Sequence, residues 1–110
     1  MTVAEARERF ILHMWGLVNY WENDSRTPTS KEKLEGLLHS ILSTLDGNSG
    51  TMPGFEIVPL VSKSDIEWMK TLPKGDGWAK NWFPNEDIGG GLHGAMYPIA
   101  RKHGIIPKTP

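Results

Sequence analysis

The first stretch of the chain carries apolar side chains at helical spacing on two adjacent stripes. This pattern predicts a helix over residues 2–22, with Thr2 and Glu5 placed to form a capping box at its start. A helix that is apolar over so wide an arc packs on more than one side, against other helices or against a second subunit. The first stripe consists of Phe10, Met14, Leu17 and Trp21, and the second of Ile11, Trp15 and Val18.

A second helix follows a short polar segment, residues 23–28. Its predicted span is residues 29–45, with Thr29 and Glu32 as a second capping box, and Asp46-Gly47-Asn48 ends it with a glycine C-cap. Because the link is short, the first two helices are expected to form an antiparallel hairpin. The apolar stripe of the second helix consists of Leu34, Leu37, Leu38, Ile41, Leu42 and Leu45.

One strand and two shorter helices are predicted in the rest of the chain. Residues 55–61 form the strand, and its partner would be residues 78–83 or the same strand of a second subunit. A capping box over Ser64-Asp65-Ile66-Glu67 begins a short helix that extends to about Leu72. The last helix begins near Ile88 and is expected to end or kink near Tyr97, before Pro98.

These elements predict a mostly helical α+β fold in a single domain over residues 1–110. The architecture is an N-terminal helical hairpin, one short strand or β-pair, and a C-terminal helix behind a Trp-rich loop. Asn85 or Asp87 is the expected N-cap of the C-terminal helix. Residues 104–110 are expected to form an extended tail.

Composition and charge narrow the classes of function. The 12 basic and 13 acidic side chains nearly balance, so there is no charge excess to hold a nucleic-acid backbone. The absence of cysteine excludes disulfides, thiolate zinc sites and cysteine nucleophiles. The N-terminus lacks the apolar core of a signal peptide, and no apolar run approaches the ~18 residues of a membrane span. These observations predict a soluble, cytoplasmic protein.

Residues 78–94 combine aromatic, acidic and glycine residues in a pattern that the needs of folding do not readily explain. Gly89-x-Gly91-x-x-Gly94 has the spacing of a dinucleotide fingerprint, but no strand precedes it and no βαβ unit surrounds it, which excludes a Rossmann site. A glycine-rich helix start also exposes N–H groups that suit an anion. Glu86 and Asp87 oppose an anion there, so the favoured interpretation is that the glycines permit close packing.

Metal binding and hydrolysis have less support in the sequence. Glu86, Asp87 and His93 are close together, but their spacing matches no zinc motif, so no metal site is predicted. No serine lies in a nucleophile elbow, and no catalytic residue is assigned. The one catalytic alternative is a small hydrolase that uses His93 with Asp87.

Aromatic and polar side chains of the same region could bind a planar ligand. The rings would stack on it while neighbouring polar groups form hydrogen bonds to its edge. The same aromatics could instead anchor a protein interface or close the core. The predicted ligand-binding residues are Trp78, Lys80, Asn81, Trp82, Gly89, Gly90, Gly91, His93 and Tyr97.

Several segments of the chain carry a family resemblance. They are residues 34–47, residues 53–59, Asn81-Trp82-Phe83-Pro84 and residues 87–93. In their order and spacing they resemble a group of small uncharacterised proteins of bacteriophages and prophages. The resemblance extends over about residues 30–97. It implies a phage-type accessory protein of the bacterial cytoplasm and carries no assigned activity.

The sequence therefore predicts a non-enzymatic accessory protein, without a cofactor, that binds a ligand or host factor through residues 78–97. The first hypothesis is a host-defence antagonist that sequesters a nucleotide-like phosphorylated small molecule. The second is a protein–protein inhibitor or interaction module that uses the same aromatic surface. The small hydrolase is a third. The wide apolar arc of the first helix and the lone strand predict a homo-oligomer.

Overall fold

A computed structural model describes residues 1–60, 62–72 and 86–107 of the chain. These residues form two compact units. The first unit consists of Met1–Gly54 with Gly91–Pro110, and the second of Phe55–Gly90. The four helices are α1 (Val3–Glu22), α2 (Ser30–Leu45), α3 (Lys63–Met69) and α4 (Leu92–Lys102).

The prediction of an α+β fold is wrong. Across the described ranges the chain is 58% helical and has no strand. Residues 55–60 of the expected strand have no regular secondary structure, and among the described residues their backbone pairing stops at one bond, from Ile88 N–H to the Ile57 carbonyl at 2.8 Å. The N–H of Ile57 donates to the Asp87 carboxylate at 2.8 Å instead of to a second strand. Pro59 has no N–H to donate. Residue 61 and the proposed partner, residues 78–83, lie outside the described residues.

Helices α1 and α2 begin where the sequence predicts. Thr2 and Glu5 form the expected capping box, and the Thr29 side chain accepts the N–H of Glu32 at 3.2 Å. His13 contacts Thr44 while Trp21 contacts Ser40, so the two helices are antiparallel, as the short link between them predicts. Helix α2 packs against α1 and also against α4, which makes it the central helix of the first unit.

The indole of Trp21 fixes the contact between α1 and α2. Its Nε1–H donates to Ser40 Oγ at 2.9 Å. The ring lies directly over Gly36, where a Cβ atom would overlap it. Glycine inside a helix costs about 1 kcal/mol relative to alanine. At Gly36 that cost gives the indole room to approach the α2 backbone.

A buried hydrogen-bond chain lies further along the same contact. Thr44 is 1% exposed, and its hydroxyl donates to the Ser40 carbonyl at 2.9 Å. The hydroxyl has a single proton, so the His13 Nε2 atom, 2.9 Å from Thr44 Oγ1, must be the donor of that bond. His13 therefore carries its proton on Nε2 and belongs to the packing of the first unit.

Lys33 closes the C-terminal end of α1. Its ammonium group donates to the carbonyl oxygens of Trp21, Glu22 and Asp24 at 3.2, 2.9 and 2.9 Å. The last carbonyls of a helix have no partner within the helix, and a cation is favourable at that end of the helix dipole. This contact holds the start of α2 close to the end of α1.

The ends of α3 and α4 differ from the predictions. Helix α3 uses Ser62 and Asp65 as its capping box, two residues before the expected one. Helix α4 begins after Gly91, whose φ of 87° is a left-handed conformation that favours glycine, and not after Asn85 or Asp87. The prediction was that this helix ends or kinks near Tyr97; it does not end there, because it continues through Pro98 to Lys102.

We predict that Gly36→Ala destabilises the protein by about 1–3 kcal/mol, because the added methyl group would displace the Trp21 ring. Gly16→Ala is the matched control, since a Cβ atom at Gly16 has no neighbour within 4 Å. The control is expected to leave stability unchanged or raise it by up to about 1 kcal/mol. Urea unfolding measures both variants. Equal effects at the two glycines would contradict the packing role of Gly36.

Candidate functional site

The carboxylate of Asp46, directly after α2, binds the first turn of α4. Its Oδ1 atom accepts the N–H of Leu92 at 2.9 Å, and its Oδ2 atom accepts the N–H of His93 at 2.8 Å. The first N–H groups of a helix have no partner within the helix, and a negative charge is favourable at that end. Asp46 therefore supplies the side-chain cap that Gly91 cannot.

The same carboxylate orients the imidazole of His93. Asp46 Oδ2 lies 2.5 Å from His93 Nδ1, and the Asp46 side chain is 3% exposed. An ionised carboxylate can only accept hydrogen bonds, so Nδ1 carries a proton and, in the neutral ring, Nε2 has the free lone pair. This is the arrangement in which a buried carboxylate holds a histidine as a proton acceptor.

These hydrogen bonds keep Asp46 ionised. The bond from the His93 side chain, together with the bonds from the N–H groups of His93 and Leu92, lowers the pKa of Asp46 from 3.8 to about 2. Burial acts in the opposite direction but is outweighed. The carboxylate is therefore charged throughout the physiological pH range.

Two further side chains lie beside the imidazole. Asn48 Nδ2 is 3.4 Å from His93 Nε2, and the His39 ring stands at 86° to the His93 ring with 5.6 Å between centroids. The His93 side chain remains 33% exposed. We name the four residues, Asp46, Asn48, His39 and His93, the imidazole cluster. Chemically, the cluster can accept or release a proton at His93 Nε2.

The imidazole cluster lacks other parts of a catalytic site. In the described ranges, no hydroxyl group is in hydrogen-bond contact with His93 Nε2 that could serve as a nucleophile. The described residues contain no group of three or more His, Cys, Asp or Glu side chains that could hold a metal ion. Within the described ranges, capping of α4 and orientation of one imidazole account for the hydrogen bonds of the Asp46 carboxylate.

The predicted ligand-binding residues are divided between different parts of the molecule. Gly89 and Gly90 belong to the second unit, whereas Gly91, His93 and Tyr97 belong to the first. Gly91 precedes α4, and the Tyr97 ring lies 5.8 Å from the Arg101 guanidinium, at a cation–π distance. The remaining four, Trp78, Lys80, Asn81 and Trp82, lie outside the described residues.

Three of the backbone N–H groups in residues 89–93 have acceptors within the chain. Gly89 N–H donates to Asp87 Oδ1 at 2.8 Å, and the first two N–H groups of α4 donate to Asp46. The bonds from Ile57 and Gly89 lower the pKa of Asp87. A phosphate at either place would have to displace a carboxylate.

The aspartate that pairs with His93 is Asp46, and not Asp87 as the hydrolase hypothesis expected. Sequence reasoning read Asp46 only as part of a C-cap. Asp46 and His93 are 47 positions apart, so no spacing motif links them. The only signal in the sequence was an Asp directly after the second helix, because the helix start that lacks a side-chain cap, at Gly91, is visible only in the structure.

A second candidate site is the solvent-exposed apolar side of α1. Four apolar side chains there remain open to solvent, with exposed fractions of 47% for Ile11, 61% for Leu12, 66% for Trp15 and 37% for Val18. We name these four residues the outer face of α1. A shallow groove of about 300 Å³, lined in part by Val18 and Leu34, continues this apolar surface toward α2.

No protein family, curated protein or solved structure matches this chain. Among the helices that the structure describes, none is both long and apolar enough to cross a membrane.

We predict that Asp46→Asn lowers stability at neutral pH and flattens the loss of stability in acid. The folded-state pKa of Asp46 lies below 3.8, so its charge stabilises the fold above about pH 4, and this contribution is lost as the pH falls toward 2. Urea unfolding between pH 2 and 7 measures the effect. Glu8→Gln, at an exposed position of α1, is the control. If the free energy of unfolding depends on pH in the same way for wild type and Asp46→Asn, the Asp46 charge does not stabilise the fold.

Proposed function

We propose that the protein is a non-enzymatic interaction module that packs the outer face of α1 against a protein partner. The observation that carries this proposal is the exposure of large apolar side chains on one side of one helix. Contiguous apolar surface of this kind marks interaction sites on soluble proteins, and tryptophan is enriched where binding energy concentrates. Trp15, at 66% exposure, is the residue most suited to anchor a partner.

The scarcity of buried apolar side chains supports the same proposal. Of the large apolar residues in the described ranges, only Met69 is buried. Burial of apolar surface is the main favourable term in folding. A chain that buries so little in isolation gains stability when a partner covers its apolar surface.

The resemblance to phage and prophage proteins suggests the setting of this interaction. A phage-type accessory protein without a catalytic constellation acts by occupying a surface of another protein, for example a host-defence protein. This setting is an analogy that does not depend on the fold.

A protein partner is favoured over a nucleotide-like ligand because backbone N–H groups that could have bound a phosphate already donate to carboxylates. The N–H groups of Gly89, Leu92 and His93 donate to carboxylates, which repel a phosphate. The stacking rings in that hypothesis, Trp78 and Trp82, lie outside the described residues, so nucleotide binding stays an open hypothesis.

We predict that mono-, di- and cyclic nucleotides at millimolar concentration leave the melting temperature of the protein unchanged. A ligand that binds the folded state raises this temperature by mass action, with about 2.7 kcal/mol of stabilisation at a hundred times its dissociation constant. Scanning fluorimetry with a panel of nucleotides tests this. A reproducible rise in melting temperature with one class of nucleotide would instead support the sequestration of a phosphorylated ligand.

We predict that Trp15→Ala removes the partner of this protein while its helices remain folded. Trp68→Ala is the matched control, because Trp68 is a tryptophan of similar exposure, 60%, on α3. Sedimentation velocity of the purified and tagged protein, alone and in bacterial lysate, measures complex size. The proposal requires the wild type and Trp68→Ala to sediment as a complex and Trp15→Ala as a monomer. A wild type that is monomeric in both settings would contradict it.

A further inference from the structure

We infer that the partner of the outer face of α1 is the same helix of a second copy, packed antiparallel around a two-fold axis. This inference rests on the proposed function, because it names the partner for the same surface. The evidence is the order of charged and apolar residues along α1. Both the self-complementarity and the direction of the pairing follow from that order.

Three of the four residues of the outer face of α1, Ile11, Trp15 and Val18, lie within a stripe that is symmetric about its midpoint, and Leu12 lies beside it. Each residue of an α-helix is rotated by about 100° from the one before, so residues 7, 11, 15, 18 and 22 fall within an arc of about 80°. Met14 borders this stripe. Residues 7 and 22, 11 and 18, and 14 and 15 are pairs centred on the same point.

The symmetry suits a two-fold interface. In an isologous contact, residue i of one copy meets residue j of the other, and j meets i. An antiparallel pairing about this midpoint places Ile11 against Val18 of the partner subunit, and this pair occurs twice. The two copies of Trp15 lie close to the axis between these pairs, so apolar residues meet apolar residues along the centre of the contact.

The charges at the ends of the stripe select the antiparallel direction. Arg7 lies at one end and Glu22 at the other, and both are exposed. In the described part of the chain, neither takes part in an ion pair. The antiparallel pairing places Arg7 beside Glu22 of the partner subunit at both ends. A parallel pairing would place like charges together at both ends, which is unfavourable.

Glu8 lies at the edge of this stripe, one position after Arg7. Glu8 has no oppositely charged residue at the symmetric position of the stripe, so it forms no ion pair across the interface in this register. Exposed ion pairs are individually weak. The charges therefore determine the direction and register of the pairing, and the apolar residues between them supply the affinity.

Charge reversal tests the inference directly. Arg7→Glu creates two carboxylate pairs across the interface, and Glu22→Arg creates two cation pairs. Each single variant is expected to raise the dissociation constant of the dimer by about tenfold, since two weak ion pairs become two repulsions. The double variant Arg7→Glu/Glu22→Arg restores opposite charges and is expected to dimerise as the wild type does. Arg9→Glu, on the opposite side of α1, is the matched control and should leave the constant unchanged.

Sedimentation equilibrium over micromolar to millimolar concentrations measures these constants, and circular dichroism checks that each variant is folded. A wild-type monomer at every concentration would overturn the inference, as would a double variant no tighter than the single variants. If the purified protein is a monomer but forms a Trp15-dependent complex in lysate, the partner is not a second copy of the chain. The proposed function as an interaction module would then still hold. A wild-type dimer that Trp15→Ala disrupts and charge reversal leaves unchanged would overturn the antiparallel register alone.

Discussion

The first unit depends on one buried carboxylate. Asp46 ends α2, caps α4 and binds the His93 ring, all through the two oxygens of one side chain. Helix α4 begins at a glycine that has no side chain to cap it, so its first N–H groups require an acceptor from elsewhere in the chain. Because the acceptor comes from the end of the central helix, one interaction determines both where α4 begins and where the imidazole points.

The parts of the fold that depend on local chemistry were predictable from the sequence. Capping boxes and helical periodicity each act within a few residues, and they placed the starts of α1 and α2 correctly. The strand prediction failed because, among the described residues, residues 55–60 have only one backbone hydrogen bond of the kind that joins strands, from Ile88 N–H to the Ile57 carbonyl. The Ile57 N–H donates to the Asp87 carboxylate, and no local pattern announces that contact.

The candidate site was predictable only in part. His93 was identified from its sequence context, but its orienting residue, Asp46, is distant in sequence and came from the fold. The wide apolar arc of α1 was also visible in the sequence, including its implication that the helix packs on more than one side. The structure shows which side faces α2 and which remains exposed, and this distinction locates the proposed interface.

The central functional claim is that the outer face of α1 is covered by a second copy in solution. Fluorine NMR of 5-fluorotryptophan-labelled protein tests it most directly, because the solvent isotope shift of each tryptophan signal reports its contact with water. Trp15→Phe and Trp68→Phe assign the two signals. We predict that the Trp15 signal loses its isotope shift as protein concentration rises and regains it on dilution, while Trp68 keeps its shift throughout. A Trp15 signal with a full isotope shift at all concentrations would contradict the account.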